Sequence, residues 1–177
     1  MKAVVIDTNV LLVANGSHPE VSNECRIACI SKLLDCRKTG IVVIDDSYSI
    51  LREYEKKTFP NTPKGPGDAF LKWLLQNKNN RQRVHKVPLF GSTQIETSVL
   101  PELSMLEGFD PADLKFVQVA LSHQRRPPIW QASDSKWLAW WQTLAGHGVV
   151  VTFLCPGEIS RGFKKKFPLA ALPSFPT

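Results

Sequence analysis

Two runs of β-branched apolar residues constrain the fold of this chain more than any other feature. Val4, Val5 and Ile6 precede Asp7, and residues 41–44 precede Asp45. Such runs are typical of parallel strands that are buried on both faces. A carboxylate directly after the first strand lies where open α/β sheets bind ligands, and its buried charge requires a cation or another partner. The alternative for Asp7 is a purely structural role as the cap of the next turn.

Helical and strand patterns alternate along the rest of the chain, which predicts an α/β fold with a central, mainly parallel sheet. The segments that carry these patterns are a first strand within 2–12, helices at 20–36, 47–58, 69–75, 111–123 and 137–144, and strands at 41–45, 81–87, 128–132 and 149–154. The 177 residues suffice for one hydrophobic core. We expect one domain over 1–156 and a basic, proline-containing, partly ordered tail over 157–177.

The chain has a formal charge of +6, which favours a polyanionic partner such as nucleic acid. The basic residues predicted to form a phosphate track are Arg81, Arg83, Lys86, Arg125 and Arg126. For the first three, a solvated edge strand with protective charges is an equally good interpretation. We found no apolar leader and no stretch of about 20 apolar residues, so no membrane association is expected. Four cysteines without zinc-ligand spacing predict free thiols and a cytoplasmic protein.

Four acidic residues occupy positions that converge in a parallel sheet. Asp7 and Asp134 follow predicted buried strands, whereas Glu53 and Asp113 are expected in the first turns of helices. Strand ends and helix starts of this kind meet at the carboxyl edge of the sheet. Glu55 is the alternative to Glu53, although two lysines beside it favour a surface position.

Three segments of the sequence resemble the PIN-domain nucleases. Residues 5–11 (VIDTNVL) resemble the opening strand of that family, 113–121 resemble the helix with its third acid, and 129–137 resemble the strand and loop with its fourth. The resemblance implies a three-layer α/β/α sandwich. One departure is Lys136, at a position where many relatives have a further acid. Asp110 could compensate, but its place before Pro111 already explains it as a helix cap.

The resemblance implies that Asp7, Glu53, Asp113 and Asp134 bind Mg²⁺ or Mn²⁺ and hydrolyse phosphodiester bonds. Carboxylate oxygens suit these hard cations. The neighbouring side chains expected to orient the ligands are those of Thr8, Asn9 and Ser133. The expected function is a single-stranded endoribonuclease; small prokaryotic members of the family are often toxins paired with an antitoxin protein, and a homodimer is a further expectation. The alternatives are a nuclease for DNA flaps or single strands, and a non-catalytic RNA-binding or scaffold protein.

Overall fold

A five-stranded parallel sheet forms the centre of the computed structural model, which describes residues 2–89, 100–106 and 108–176. The strands are β1 (Ala3–Ile6), β2 (Ile41–Asp45), β3 (Val84–Val87), β4 (Ile129–Gln131) and β5 (Val151–Phe153). The helices are α1 (Thr8–Asn15), α2 (Asn23–Thr39), α3 (Ser49–Lys57), α4 (Pro66–Asn77), α5 (Leu100–Ser104), α6 (Leu114–Ser122), α7 (Lys136–Gly146) and α8 (Pro156–Lys166). A 3₁₀ turn (Pro111–Asp113) leads into α6.

The strand order in the sheet is β3-β2-β1-β4-β5, and every neighbouring pair is parallel. β1 is the central strand: Val4 pairs with Val42 on one side, and Val5 pairs with Ile129 on the other. Helices flank the sheet, which gives a three-layer α/β/α sandwich and confirms the predicted fold class. The strand order reverses between β1 and β4, and such a reversal opens a crevice at the carboxyl ends of the two strands.

The first strand is shorter than the sequence pattern predicts. It ends at Ile6, and α1 begins at Thr8 instead of a continued strand. Asp7 is the N-cap of this helix, because its carboxylate accepts a hydrogen bond of 2.7 Å from the backbone N–H of Asn9. Val10 and Leu11 are then buried on the helix. The short strand places Asp7 directly at the β1–β4 crevice.

The predicted tail from residue 157 begins as part of the folded domain. α8 starts at Pro156 and buries Ile159 and Phe163 in a small cluster with Leu138 of α7. The apolar spacing of Ile159 and Phe163, four residues apart, is that of a helix face. Lysines 164–166 occupy the last turn of α8, where positive charge is favourable.

A disulfide joins Cys25 of α2 to Cys155, the residue that precedes α8. The prediction of four free thiols is therefore wrong for these two residues, although Cys29 and Cys36 are buried thiols. The partners are 130 residues apart in the sequence, so spacing rules could not pair them. Sγ of Cys29 lies 4.0 Å from Sγ of Cys155.

The tryptophans of α7 belong mainly to the core. Trp137 and Trp140 are buried, whereas Trp130 on β4 and Trp141 are partly buried and pack against the core. Trp141 also donates a hydrogen bond of 2.9 Å to the carbonyl of Ser174.

Among the described residues, no helix combines the length and the apolar character that a membrane crossing requires.

Candidate functional site

The four predicted acids approach the crevice from four different elements. Asp7 follows β1, and Asp134 follows β4, the strand on the other side of the reversal in strand order. Asp113 ends the 3₁₀ turn before α6. Glu53 lies in the second turn of α3, not in the first turn as predicted, because the helix begins at Ser49. Each of the other three acids contributes an electrostatic interaction that disfavours ionisation of Asp7. The fold therefore brings together side chains that are 46 to 127 residues away from Asp7 in the sequence.

Asp7 is the most perturbed acid of the group. Its side chain is buried, and this burial together with the negative charge of Asp113 raises its pKa from 3.8 to about 8. Asp134 and Glu53 add smaller effects of the same sign, while the Asn9 N–H opposes them. A carboxylate that served only as a helix cap would be stabilised in its charged form. The raised pKa therefore argues against a purely structural cap at this position.

Asp113 is perturbed in the same direction. Burial and the neighbouring Asp134 raise its pKa from 3.8 to about 6, although Lys136 and Lys115 partly offset this. Within the described residues, no lysine, arginine or histidine nitrogen lies within 4.0 Å of a carboxylate oxygen of Asp7 or Asp113. These two carboxylates are the part of the site where positive charge is lacking.

Glu53 differs from both aspartates because each of its carboxylate oxygens lies close to a lysine. Oε1 accepts a hydrogen bond of 2.6 Å from Thr8 Oγ1 and lies 3.0 Å from Lys57 Nζ. Oε2 lies 2.5 Å from Lys115 Nζ. Although burial would raise its pKa, the contacts with Lys115, Thr8 and Lys57 lower it. Glu55, the alternative in the sequence, is exposed on the same helix.

Asn9 and Ser133 join the two strand ends that form the crevice. Oδ1 of Asn9 accepts hydrogen bonds from the backbone N–H of Ser133 at 2.8 Å and from its hydroxyl at 3.0 Å. Since Asn9 also binds Asp7 through its backbone N–H, one residue fixes the carboxylate and the neighbouring loop. Thr8 fixes Glu53 in a comparable way. Thr8 and Asn9 thus each bind an acid, and Ser133 joins the loop of Asp134 to Asn9.

Asp134 lies between two lysines. Its carboxylate is 3.4 Å from Nζ of Lys166, at the end of α8, and 3.9 Å from Nζ of Lys136. It also accepts a hydrogen bond of 3.1 Å from the backbone N–H of Lys136. Lys136 thus places a positive charge where the resemblance would place a fifth acid. Asp110 is exposed and caps the 3₁₀ turn through Ala112, in agreement with its predicted structural role.

The spacing of the acids limits how they could hold a cation. In the part of the chain that the structure describes, the group of three side chains whose ligand atoms all lie within 4.8 Å of one another is Cys25, Cys29 and Cys155; no three acids are so close. Mg²⁺ usually retains several waters and binds through only one or two carboxylates. Asp7 and Asp113, which are hard oxygen donors in need of positive charge, suit such a hydrated ion.

The predicted basic track lies largely away from the acids. Arg81 and Arg83 precede β3, and Arg125 and Arg126 precede β4, so all four are at the amino edge of the parallel sheet, opposite the crevice. Arg83 caps α2 through the carbonyls of residues 36–38. Arg126 donates to the carbonyl of His147. Lys86 alone is near the carboxyl end of its strand, with Tyr48 Oη at 2.9 Å.

Two features of the structure were not predicted from the sequence. The first is the contact of four lysines with the acids, although Lys136 was noted as a departure from the family pattern; the four are Lys57, Lys115, Lys136 and Lys166. Two of them follow Asp113 and Asp134 by two residues, and this shared spacing was a readable signal. The second is a hydrogen bond of 2.9 Å between Nδ1 of His85 and Nε2 of His123, residues 38 apart in the sequence.

Comparisons of the chain with protein-family profiles, curated proteins and solved structures find no match. The resemblance to PIN-domain nucleases therefore rests on the sequence segments quoted above.

Proposed function

We propose that this protein is a metal-dependent nuclease that hydrolyses single-stranded RNA at the β1–β4 crevice. The observation that carries the proposal is Asp7, a carboxylate buried at the strand reversal whose pKa is raised to about 8 by burial and by neighbouring acids. A protein retains such an unfavourable arrangement where a bound cation offsets it, and perturbed carboxylates in a cleft mark functional sites. The order and context of the four acids, which resemble the PIN-domain pattern, give the reaction class.

Asp7 and Asp113 are the residues that would hold Mg²⁺ or Mn²⁺. When bound, the ion would activate a water molecule and stabilise the charge that develops on the scissile phosphate. Asn9 keeps the Asp7 carboxylate and the Ser133 loop in place, and Thr8 orients Glu53. Lys136 and Lys166 at Asp134 provide cationic contacts for the substrate backbone close to the acids.

A titration with Mn²⁺ and Mg²⁺ against single-stranded RNA tests this function, with the corresponding DNA strands and a DNA flap as parallel substrates. We expect metal-dependent cleavage of RNA in preference to DNA. Faster cleavage of DNA would retain the nuclease but change its substrate. The absence of cleavage on every substrate, together with a melting temperature that metal does not change, would contradict the proposal.

One observation favours a second candidate function, a non-catalytic RNA-binding protein with this fold. The lysines at Glu53 and Asp134 neutralise two of the four acids without any metal. Such a protein would bind RNA with a strong salt dependence, about −0.7 in log–log slope per phosphate contact, and would not respond to Mn²⁺. The first proposal has two extensions. A toxin role would be tested by co-purification of an antitoxin partner, and a homodimer would be tested by the molecular mass in solution.

A further inference from the structure

The acids of the crevice fall into two unequal pairs. Glu53 and Asp134 each lie within 4.0 Å of two lysines. Asp7 and Asp113 have no such contact among the described residues, and their pKa values are raised. Half of the site is therefore already charge-compensated by the protein, and half is not.

Lys115 is the most firmly held of the four lysines. Its side chain is 14% exposed, compared with 49% for Lys57, which contacts the same carboxylate. Its ammonium lies 2.5 Å from Glu53 Oε2 and also donates to the carbonyl of Ala112. An ammonium held by two acceptors and largely buried has lost most of the conformational freedom of a surface lysine and is pre-organised.

Lys115 retains an N–H donor for a further hydrogen bond, whereas both oxygens of Glu53 already have partners. Glu53 uses one oxygen for Thr8 and Lys57 and the other for Lys115, so both oxygens already have a cationic partner and a metal ion at Glu53 would be repelled by two ammonium groups. An ammonium has three N–H donors. Glu53 and Ala112 take two of those of Lys115, and the described residues supply no acceptor for the third.

We propose that Lys115 is a built-in second cation of the site: its free N–H binds a non-bridging oxygen of the scissile phosphate, and a single divalent ion binds at Asp7 and Asp113. This inference rests on the proposed nuclease function. In two-metal nucleases, a pair of ions stabilises the attacking and the leaving oxygens. Here a fixed ammonium would supply the second positive charge, and Glu53 would hold that ammonium instead of a metal.

The number of bound ions and the effect of Lys115→Met test this inference together. Mn²⁺ counted by electron paramagnetic resonance should be one per native chain. In Lys115→Met, Glu53 loses its fixed cation, so a second Mn²⁺ should bind. Its kcat should fall about 100- to 1,000-fold, as for the loss of a pre-organised donor, while KM changes less. Lys57→Met is the matched control, because it removes the exposed lysine from the same carboxylate. It should bind one ion and retain kcat within several-fold.

Several outcomes would overturn the inference. Two ions in the native chain would exclude Lys115 as the second cation, even if the protein cleaves RNA. A Lys115→Met variant that binds one ion and cleaves like the native chain would reduce Lys115 to a structural support. If Lys115→Met does not fold, Lys115→Arg retains the charge and should keep one ion and most of the cleavage; loss of both would contradict the proposal. No bound ion and no cleavage in the native chain would instead refute the nuclease function itself.

Discussion

Asp7 and Asp45 end neighbouring strands of the same sheet, yet their carboxylates are opposite in character. Both are buried, both follow runs of β-branched residues, and both precede a helix. Asp45 accepts hydrogen bonds from the N–H groups of Ser49 and Ile50 and from the Ser47 hydroxyl, at 2.6 to 2.8 Å. Burial alone would raise its pKa, but these donors lower it.

Asp7 has one backbone donor where Asp45 has two, and it is surrounded by other acids. Its pKa is raised to about 8, mainly by burial and by Asp113. The comparison shows that a buried strand-end carboxylate is structural where local donors satisfy it. Such a carboxylate is a candidate metal ligand where it has few hydrogen-bond donors and lies near other acids.

Asp7→Asn should abolish cleavage and leave the fold intact. The amide can still accept the hydrogen bond from Asn9, but the ion loses a charged ligand. We expect a rate lower on the order of a thousandfold, or about 4 kcal/mol in activation free energy, with RNA binding retained. Cleavage and filter binding should be measured on the same preparation. Undiminished cleavage would remove Asp7 from the catalytic site.

Mn²⁺ should stabilise the native protein and the Asp45→Asn variant, but not Asp7→Asn. An ion that binds only the folded state at 100 times its dissociation constant adds about 2.7 kcal/mol to the free energy of unfolding. Thermal melts with and without Mn²⁺ compare the three chains directly. An equal shift in Asp7→Asn would mean that the ion does not bind at Asp7.

Asp45→Asn should destabilise the protein without direct loss of chemistry. Both Asp45 oxygens accept hydrogen bonds, whereas an amide has one acceptor and would direct N–H groups at another donor. We expect a loss of about 1–3 kcal/mol in the free energy of unfolding, measured in urea. In Asp7→Asn the same measurement on metal-free protein should show no loss. Equal destabilisation of both variants would mean that Asp7 is also a purely structural cap.

Local pattern was enough to predict the sheet and the positions of the acids. The runs before Asp7 and Asp45 define central strands, and the helix–strand alternation then permits few arrangements. The difference between the two aspartates was not predictable, because it depends on Ser47 and Ser49 on one side and on Asp113 on the other. Ser47 and Ser49 are close to Asp45 in the sequence, whereas Asp113 is far from Asp7 in the sequence.

Two further contacts were not predictable for a similar reason. The Cys25–Cys155 disulfide and the contact of Lys166 with Asp134 join residues from distant parts of the chain. The basic track stays a prediction. Two of its residues, Arg83 and Arg126, bind backbone carbonyls through their guanidinium groups. A count of charges could not predict these contacts, because a guanidinium group can donate the same N–H groups to a phosphate or to the carbonyls at a helix end.

The pH dependence of stability should distinguish the two aspartates by sign. The pKa of Asp7 is about 8 in the folded protein and near 3.8 in the unfolded chain. Between these values the folded state binds the extra proton, so the stability of the metal-free protein should fall as the pH rises. Asp45 has a lowered folded pKa, so its contribution is present above its unfolded pKa and is lost as the pH falls through its folded pKa.

Above pH 7 Asp113, with a pKa of about 6, is almost fully ionised, so Asp7 dominates the slope. Urea unfolding of the metal-free native protein between pH 7 and 8 should then show a decrease of at most about 1.4 kcal/mol per pH unit, the limit for one proton. Asp7→Asn should be nearly flat over this range, because the titrating group is gone, whereas Asp45→Asn should retain the native slope. Parallel curves for native protein and Asp7→Asn would show that Asp7 titrates normally. In that case the two strand ends would be electrostatically alike, and Asp7 would have no more need of a bound cation than Asp45 has.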